Sequence, residues 1–342
     1  MEDVAEHPVE VKQLESRLLQ YGDILLEKSG GGPTQPVGRV ALFNIPNGEY
    51  SYSNFTARIR VVDERANGFF VWLVLNHFYQ SGKTEGLQKQ TSGIRNLDNT
   101  AYLAFQIPLP PLEVQKEIVA EIEGYQKVID GARAVVDNYR PHISIHPDWP
   151  SKELGEVCRL GRGFAFKSED YVREGILSFR VSNIGKDRLP NLENSVYLPK
   201  DFLKQYAEYQ LQEGDFVIVM VGATTGKIGY ITGDVLPALL NQNMWRFHPD
   251  ESVLNKRFLY YAIDQLPLFR QGGARDYLKQ SDFLKNSVPL PSLATQQAIV
   301  AEIEAEQALV AANRELMARF EQKIQATLAR VWGEEEPAAP EA

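Results

Sequence analysis

Residues 222 to 229 read GATTGKIG. Three glycines, two threonines and a lysine fall within eight positions, residue types whose amides, hydroxyls and cation can gather around a phosphate. A nucleotide-hydrolysing loop of the G-x-x-x-x-G-K-[ST] kind places four residues between its glycines and a magnesium-binding hydroxyl after the lysine. Gly222 and Gly226 enclose only three, and Ile228 follows Lys227, so nucleotide hydrolysis is not expected. Two readings remain. One is a tight turn between strands. The other is a loop in which Thr224, Thr225, Lys227 and the backbone amides meet a nucleic-acid phosphate, a contact that positions a protein without reading sequence.

Reading bases takes side chains with paired donors or acceptors, arginine for guanine and asparagine or glutamine for adenine. Such residues collect in a few short stretches. GRGFAFKSEDY (161–171) holds Arg162 and Lys167, and RVSNIGK (180–186) holds Arg180, Ser182, Asn183 and Lys186. EKSGGG (27–32) supplies Lys28 and Ser29, and QKQTSGIRN (88–96) supplies Lys89, Gln90, Ser92 and Arg95. GGARDYLKQ (272–280) adds Arg275, Tyr277 and Lys279. Gln242 and Asn243 lie in the apolar run LNQNMWRF, where they fit the satisfaction of buried backbone groups as well as the reading of adenine. For any one of these residues a solvated surface position is the ordinary expectation. The cluster carries more weight than its members.

Catalytic chemistry has little to draw on. The five histidines, His7, His77, His142, His146 and His248, are scattered, and none stands in a zinc-ligand spacing with cysteines or acids. Cys158, the single cysteine, has no histidine near it in sequence and reads as a small buried residue. One cysteine excludes a disulfide framework and fits a reducing compartment. The longest apolar run, FFVWLVL (69–75), is far short of the roughly 20 residues of a membrane span. MEDVAEHPVEV at the N-terminus lacks the apolar core of a signal peptide. A cytoplasmic, non-catalytic protein is expected. The net charge of −9 argues against a nucleic-acid partner until it is divided along the chain. Residues 107–150 and 291–342 together carry −8, whereas 151–290 carries +1, which leaves room for a basic face.

The elements that must position these residues announce themselves by repetition. PLPPLEVQKEIVAEIE (108–123) returns as PLPSLATQQAIVAEIE (289–304), an interval of 181 residues. A period this long marks a duplicated domain with its helix, not a solenoid. In the first helical segment Ile118, Ile122, Tyr125, Ile129, Ala132, Val136 and Tyr139 alternate spacings of four and three, and Pro141 stops the helix. In the second, Ile299, Ile303, Glu306, Val310, Asn313, Met317, Phe320, Ile324, Thr327 and Val331 keep the same spacing, behind Ser292 as N-cap. That period is the coiled-coil signature, and the polar breaks give the second stripe reason to need the first as partner. Two amphipathic helices, each packed on its own domain, are the alternative.

The globular parts repeat more faintly. YGDILLEKSGGG (21–32) resembles EGDFVIVMVGAT (213–224), a Gly-Asp turn, a strand and a glycine loop, and VGRVALF (37–43) aligns with IGYITGD (228–234) as the next strand. FFVWLVLNHF answers RFLYYAIDQL as a buried helix, and residues 92–110 answer 273–291. Nothing in the first copy corresponds to residues 151 to about 195, so the first domain starts near the equivalent of residue 199.

The combination of WPSKELGEV, FRVSNIGKDRLP, GDFVIVMVGATTGKIG, NQNMWRF and the twice-used PLP(P/S)L…Q…IVAEIE resembles the specificity (S) subunit of Type I restriction-modification systems, over residues 8 to about 332. The resemblance implies a mixed α/β fold with two target-recognition domains, each followed by a long helix, the two helices pairing as an antiparallel coiled coil. The expected divisions are a shortened first recognition domain at 1–107, a spacer helix at 108–140, a linker at 141–150, the second recognition domain at 151–290, the second spacer helix at 291–333 and an acidic tail at 334–342. It also implies double-stranded DNA, methyltransferase (M) subunits and a restriction (R) subunit as partners, with S-adenosylmethionine bound on the methyltransferase. Self-association through the shortened first domain is a further expectation. The competing expectation is a coiled-coil assembly or anti-restriction protein that binds methyltransferase subunits without reading DNA.

Overall fold

The computed structural model describes residues 11–32, 35–91, 94–268, 270–271 and 276–334, so all of the acidic tail beyond Glu334 lies outside the described residues. The chain divides into two compact units: unit 1 is formed by residues 1–138 and 310–342, unit 2 by residues 139–309. Among the described residues no helix is long and apolar enough to cross a membrane.

Unit 1 begins with α1 (Val11–Arg17), β1 (Ile24–Glu27), β2 (Ser29–Gly31), β3 (Val40–Leu42) and β4 (Thr56–Ile59). It continues through α2 (Gly68–Gln80), β5 (Gln88–Thr91), β6 (Ile94–Leu97), α3 (Asn99–Leu103) and α4 (Leu112–Asn138). Its main sheet is antiparallel, in the order β3-β1-β4, beside a small sheet β2-β6-β5.

Unit 2 contains β7 (Ser151–Glu153), α5 (Leu154–Val157), β8 (Cys158–Arg162), β9 (Ile176–Phe179), β10 (Tyr197–Leu198) and α6 (Phe202–Gln205). There follow β11 (Phe216–Val219), β12 (Ile228–Tyr230), β13 (Ala238–Leu240), β14 (Met244–Pro249) and α7 (Lys256–Ala262). Next come β15 (Arg270–Gln271), β16 (Tyr277–Leu278), α8 (Gln280–Phe283), β17 (Ser287–Pro289) and α9 (Leu293–Val331), whose residues to Leu309 belong to unit 2 and the rest to unit 1. Its main sheet has the order β12-β11-β14-β8, and a second sheet has the order β10-β9-β13. β11 is buried on both faces: Phe216 and Ile218 join the cluster of Trp245, Phe247 and Phe258, whereas Val217 and Val219 join that of Phe179, Ile231 and Leu240. The run FVIV without alternation is therefore a central strand.

The two sheets carry the duplication. Ile24 faces Leu42 across β1 and β3, and Phe216 faces Tyr230 across β11 and β12. The equivalent of Ile228 is accordingly Val40, not Val37 as the sequence alignment has it. The connection between the strands spans residues 28–39 in the first copy and 220–227 in the second, four residues fewer, and an insertion of that size is invisible to a gapless comparison. Both copies open on a glycine at positive φ, Gly22 at 90° and Gly214 at 82°, a conformation that favours a residue without Cβ. The next residue is a buried aspartate. Asp23 accepts the Gln20 N–H at 2.7 Å and Asp215 the Gln212 N–H at 2.9 Å.

Asp23 supplies a pH prediction. Burial pushes its carboxyl up, but the Arg60 guanidinium at 2.6 and 2.7 Å and the Gln20 amide outweigh that and hold it below its ordinary value of 3.8. A depressed acid stabilises the fold above the unfolded-state value, and the contribution vanishes as pH falls through the folded one. The protection factors of the β1 amides of unit 1, taken against the intrinsic exchange rate at each pH, should therefore fall on going from about pH 5 to about pH 2, and Asp23→Asn should flatten that dependence. An unchanged slope in the variant would place the acid sensitivity elsewhere.

Helix boundaries follow capping. Asn67 Oδ1 accepts the Phe70 N–H at 3.1 Å ahead of α2, Asn255 Oδ1 accepts the Phe258 N–H at 2.9 Å ahead of α7, and Ser292, as expected, caps α9 through the Thr295 N–H at 3.2 Å. α4 runs 27 residues and α9 39, each a few residues shorter than the spacer boundaries read from sequence. On α4, Ile122, Ile129 and Ala132 are buried and Ile118, Tyr125 and Val136 half-buried, as is Tyr139 just past its end, the stripe that the spacing indicated. In unit 1, Ile122 packs with Leu73 and Leu328, the Tyr125 ring lies 5.3 Å from Phe320, and Arg133 meets Glu321 at 3.5 Å. On α9, Ile303 and Val310 are buried and Phe320 half-buried, but the stripe is displaced at two points. Val300 is more buried than Ile299, and Glu306 is exposed while Gln307, half-buried, accepts the Tyr261 hydroxyl at 2.9 Å.

Candidate nucleic-acid interface

Register brings four of the singled-out stretches of unit 2 to one end of its main sheet. Arg162, the last residue of β8, pairs with Trp245 on β14. Two residues before Trp245, the carbonyl of Asn243 accepts the Met220 N–H at 2.9 Å at the end of β11. The Met220 carbonyl in turn accepts the Leu278 N–H at 2.8 Å, and Gly222 N–H donates to the Asp276 carbonyl at 3.0 Å. The Arg162 guanidinium reaches back to Gln280 Oε1 at 3.5 Å. Arg162, Thr224, Gln242, Tyr277 and Lys279 are exposed there, and Asn243 is half-buried with φ at 73°. This end presents donors of the types that base edges and phosphates accept. The second glycine of GRG is structural: a Cβ on Gly163 would sit 1.9 Å from the Asn241 carbonyl oxygen, so Arg162 is exposed next to a point where two chain segments touch backbone to backbone.

Several candidates leave the reading set. Asn183 is fully buried; its Oδ1 accepts the Arg180 N–H at 2.9 Å and its amide donates to the Asn191 carbonyl at 3.0 Å and Ser195 Oγ at 2.9 Å. Thr225 is buried, donating to the Gly222 and Asp276 carbonyls. Lys227 is half-buried and its ammonium is spent on the Ile184 carbonyl at 2.5 Å. The N–H groups of Gly222, Thr225, Gly226 and Lys227 all bond within the fold, to Asp276, Gly222, Val219 and Thr224. The glycine loop is thus the strand-connecting turn of the two readings, with Thr224 its one exposed hydroxyl. Arg180, half-buried, donates to the Asn194 carbonyl at 2.7 Å. Lys167, exposed, pairs with Glu169 at 3.2 Å, and Ser182 and Lys186 are exposed on the segment that Lys227 holds.

In unit 1, Lys28 and Arg95 are half-buried, Ser29 Oγ donates to Asn96 Oδ1 at 2.5 Å, and exposed Lys89 pairs with Asp98 at 2.5 Å. The Leu97 N–H donates to the Lys28 carbonyl at 2.8 Å, the bond that Leu278 makes to Met220 in unit 2. Ser92 and Arg275, and the side chain of Gln90, lie outside the described residues. Burial pushes the Cys158 thiol up to about 12, as befits an inert buried sulfur.

Sequence reasoning passed over the most tightly bound side chains. Gln115 and Gln296, both fully buried, make one pattern twice. Gln115 Oε1 accepts the Asn67 N–H at 2.8 Å while its amide donates to the Arg65 and Pro110 carbonyls at 2.9 and 2.7 Å. Gln296 Oε1 accepts the Asn255 N–H at 2.8 Å while its amide donates to the Val253 and Pro291 carbonyls at 2.9 and 2.8 Å. The signal was present, the glutamine shared by PLPPLEVQ and PLPSLATQ.

A twice-built α/β unit, each copy clamped by a glutamine to the start of its own long helix, defines the architecture. The chain belongs to the Type I restriction modification DNA specificity domain family, whose model matches residues 6–131 and again residues 147–320. It is similar to the Type I restriction enzyme MjaVIII specificity subunit of Methanocaldococcus jannaschii, 25% identical over 278 residues that cover 72% of this chain and 64% of that relative. The match thus spans less than two thirds of the relative's length. The Type I restriction enzyme EcoAI specificity subunit of Escherichia coli is 25% identical over 209 residues, 57% of this chain and 35% of that one. In fold the chain is similar to a chain from a structure of complex assembly and conformational transition of the type I R-M system. The TM-score is 0.55 at 22% identity, covering 94% of this chain and 85% of the other.

Proposed function

We propose that this protein is the non-catalytic DNA-specificity subunit of a Type I restriction-modification complex. The observation that carries the reading is the convergence of Arg162, Thr224, Gln242, Tyr277 and Lys279 at one end of the unit 2 sheet, in a chain of the specificity family. In this reading residues 151–290 form a recognition domain that reads one half of a bipartite target, and residues 1–107 form a shortened one. α4 and α9 pair as an antiparallel coiled coil that spaces the halves. M subunits, which bring S-adenosylmethionine, dock on the helices, and an R subunit joins for cleavage, in the cytoplasm. Unit 1 lacks, among its described residues, the strand that β8 adds to β14. The open side of β4 is where a second copy would associate.

Mapping modified bases in cells that express this chain with its methyltransferase tests the reading. One half-site is expected to be sharp and the other degenerate, and Arg162→Ala should relax one position of the sharp half by roughly 1–3 kcal/mol of discrimination. Two equally sharp halves would show that the first domain reads unaided. An unmodified genome with the M subunits still bound would favour an assembly protein that does not read DNA.

A further inference from the structure

Unit 1 contains an open groove of about 1140 Å³ between β3, α2, α4 and the part of α9 that belongs to it. The duplication states what such a place is for. In unit 2 the corresponding surface is covered by residues 184–190, IGKDRLP. The Tyr230 N–H, on the outer edge of β12, donates to the Arg188 carbonyl at 2.8 Å, and the Arg188 guanidinium meets Asp264 at 2.6 Å. Ile184 lies over Gly229, where a Cβ would come within 2.8 Å of its Cγ1.

Strand register and the paired caps Asn67 and Asn255 fix the equivalents: Ala41 for Gly229, Leu42 for Tyr230, Trp72 for Tyr260 and Asn76 for Asp264. All four unit 1 residues line the groove. Leu42 sits between Ala41 and Phe43, and the Phe43 N–H donates to the Asp23 carbonyl just ahead of β1, so the Leu42 N–H points to the outer edge, as that of Tyr230 does. Trp72 Nε1 is buried without a hydrogen-bond partner among the described residues. The charged wall consists of Glu123, Arg133 and Glu321; Arg133 pairs with Glu321, and Glu123 forms no ion pair with a described residue. The groove is thus complementary to a cation.

We propose that this groove takes an extended basic segment of a partner polypeptide, added as a strand to the outer edge of β3 with an arginine or lysine near Asn76 and Glu123. The segment is of the kind that residues 184–190 provide in unit 2, with one difference. Ala41 fills the space that Gly229 leaves open, so the residue seated over it is smaller than isoleucine. The recognition is strand addition, in which main-chain bonds supply affinity and pockets select side chains.

The test uses the full chain and a fluorescent peptide of residues 182–191 carrying Ile184→Val, followed by anisotropy. Saturable binding is expected. Asn76→Asp, which restores the carboxylate that Arg188 meets in unit 2, should tighten it about tenfold, the worth of one charge-assisted hydrogen bond. Ala41→Glu should weaken it by at least about tenfold, and a peptide with Arg188→Glu should not bind. A gain from Asn76→Asp cannot come from misfolding. Absence of saturable binding, or binding that ignores both Asn76→Asp and Ala41→Glu, overturns the proposal. A dimer of the chain that Ala41→Glu disperses overturns it in favour of a second copy as occupant.

Discussion

Gln296→Leu is expected to destabilise unit 2 by roughly 3–5 kcal/mol, because it strands three buried backbone groups at about 1–3 kcal/mol each, less some relaxation. The Asn255 N–H and the carbonyls of Val253 and Pro291 all lose their partner, in a place where the native side chain is fully buried. Leucine matches glutamine in size, so the loss measures hydrogen bonding and not a cavity. Gln296→Glu keeps the acceptor but turns an oxygen towards the Val253 and Pro291 carbonyls in a buried place, and should be no more stable than the leucine variant at neutral pH, recovering one bond only where the carboxyl protonates. Hydrogen exchange at α7 amides resolves the effect by unit, and Gln115→Leu should produce the same loss at α2. A change below about 1 kcal/mol in either variant would mean that water replaces the side chain and that the glutamine is not a clamp.

The second large effect is expected from Ile122→Asp. The side chain is 5% exposed, packed against Leu73, Leu328 and the half-buried Ile118, Val119 and Ile324. Losing a buried isoleucine costs about 2–5 kcal/mol, and an unpaired carboxylate adds several more unless it protonates. Because the cluster joins α2, α4 and the C-terminal part of α9, all three should lose protection together, and M-subunit binding should go with them if the helices are the docking site. Glu123→Ala, on the next residue and exposed, should shift stability by no more than about 0.5 kcal/mol. Unchanged melting in Ile122→Asp would show that the helical stripe is not packed.

The stripe itself was legible because burial imposes a period. A four-three alternation from Ile118 to Tyr139 has few explanations, and each position is buried or half-buried as expected. The Gly-Asp turns were legible for the same kind of reason, since a positive φ restricts the residue. Polar residues carry no such mark. Asn183, Thr225 and Lys227 have the composition of a reading surface, yet each bonds backbone carbonyls within the fold. Whether an amide or ammonium faces solvent or a carbonyl depends on chain segments brought together from far away in sequence, such as 184 with 227 or 225 with 276. The four-residue difference between the connecting loops escaped for another reason: glycine-rich sequence aligns almost equally well in several registers, and only the ladder fixes one.

The glutamine clamp has a consequence for how such proteins can change. Every atom it grips, at Arg65, Asn67 and Pro110 or at Val253, Asn255 and Pro291, is a main-chain atom. A joint that holds only backbone is indifferent to the side chains on either side of it. Genetic exchange that swaps one globular part for another, with its crossover in the shared PLP…Q phrase, would therefore deliver the new part to a socket that already fits. A globular part can be replaced wholesale while the fastening stays constant, and no compensating change in the helix is needed.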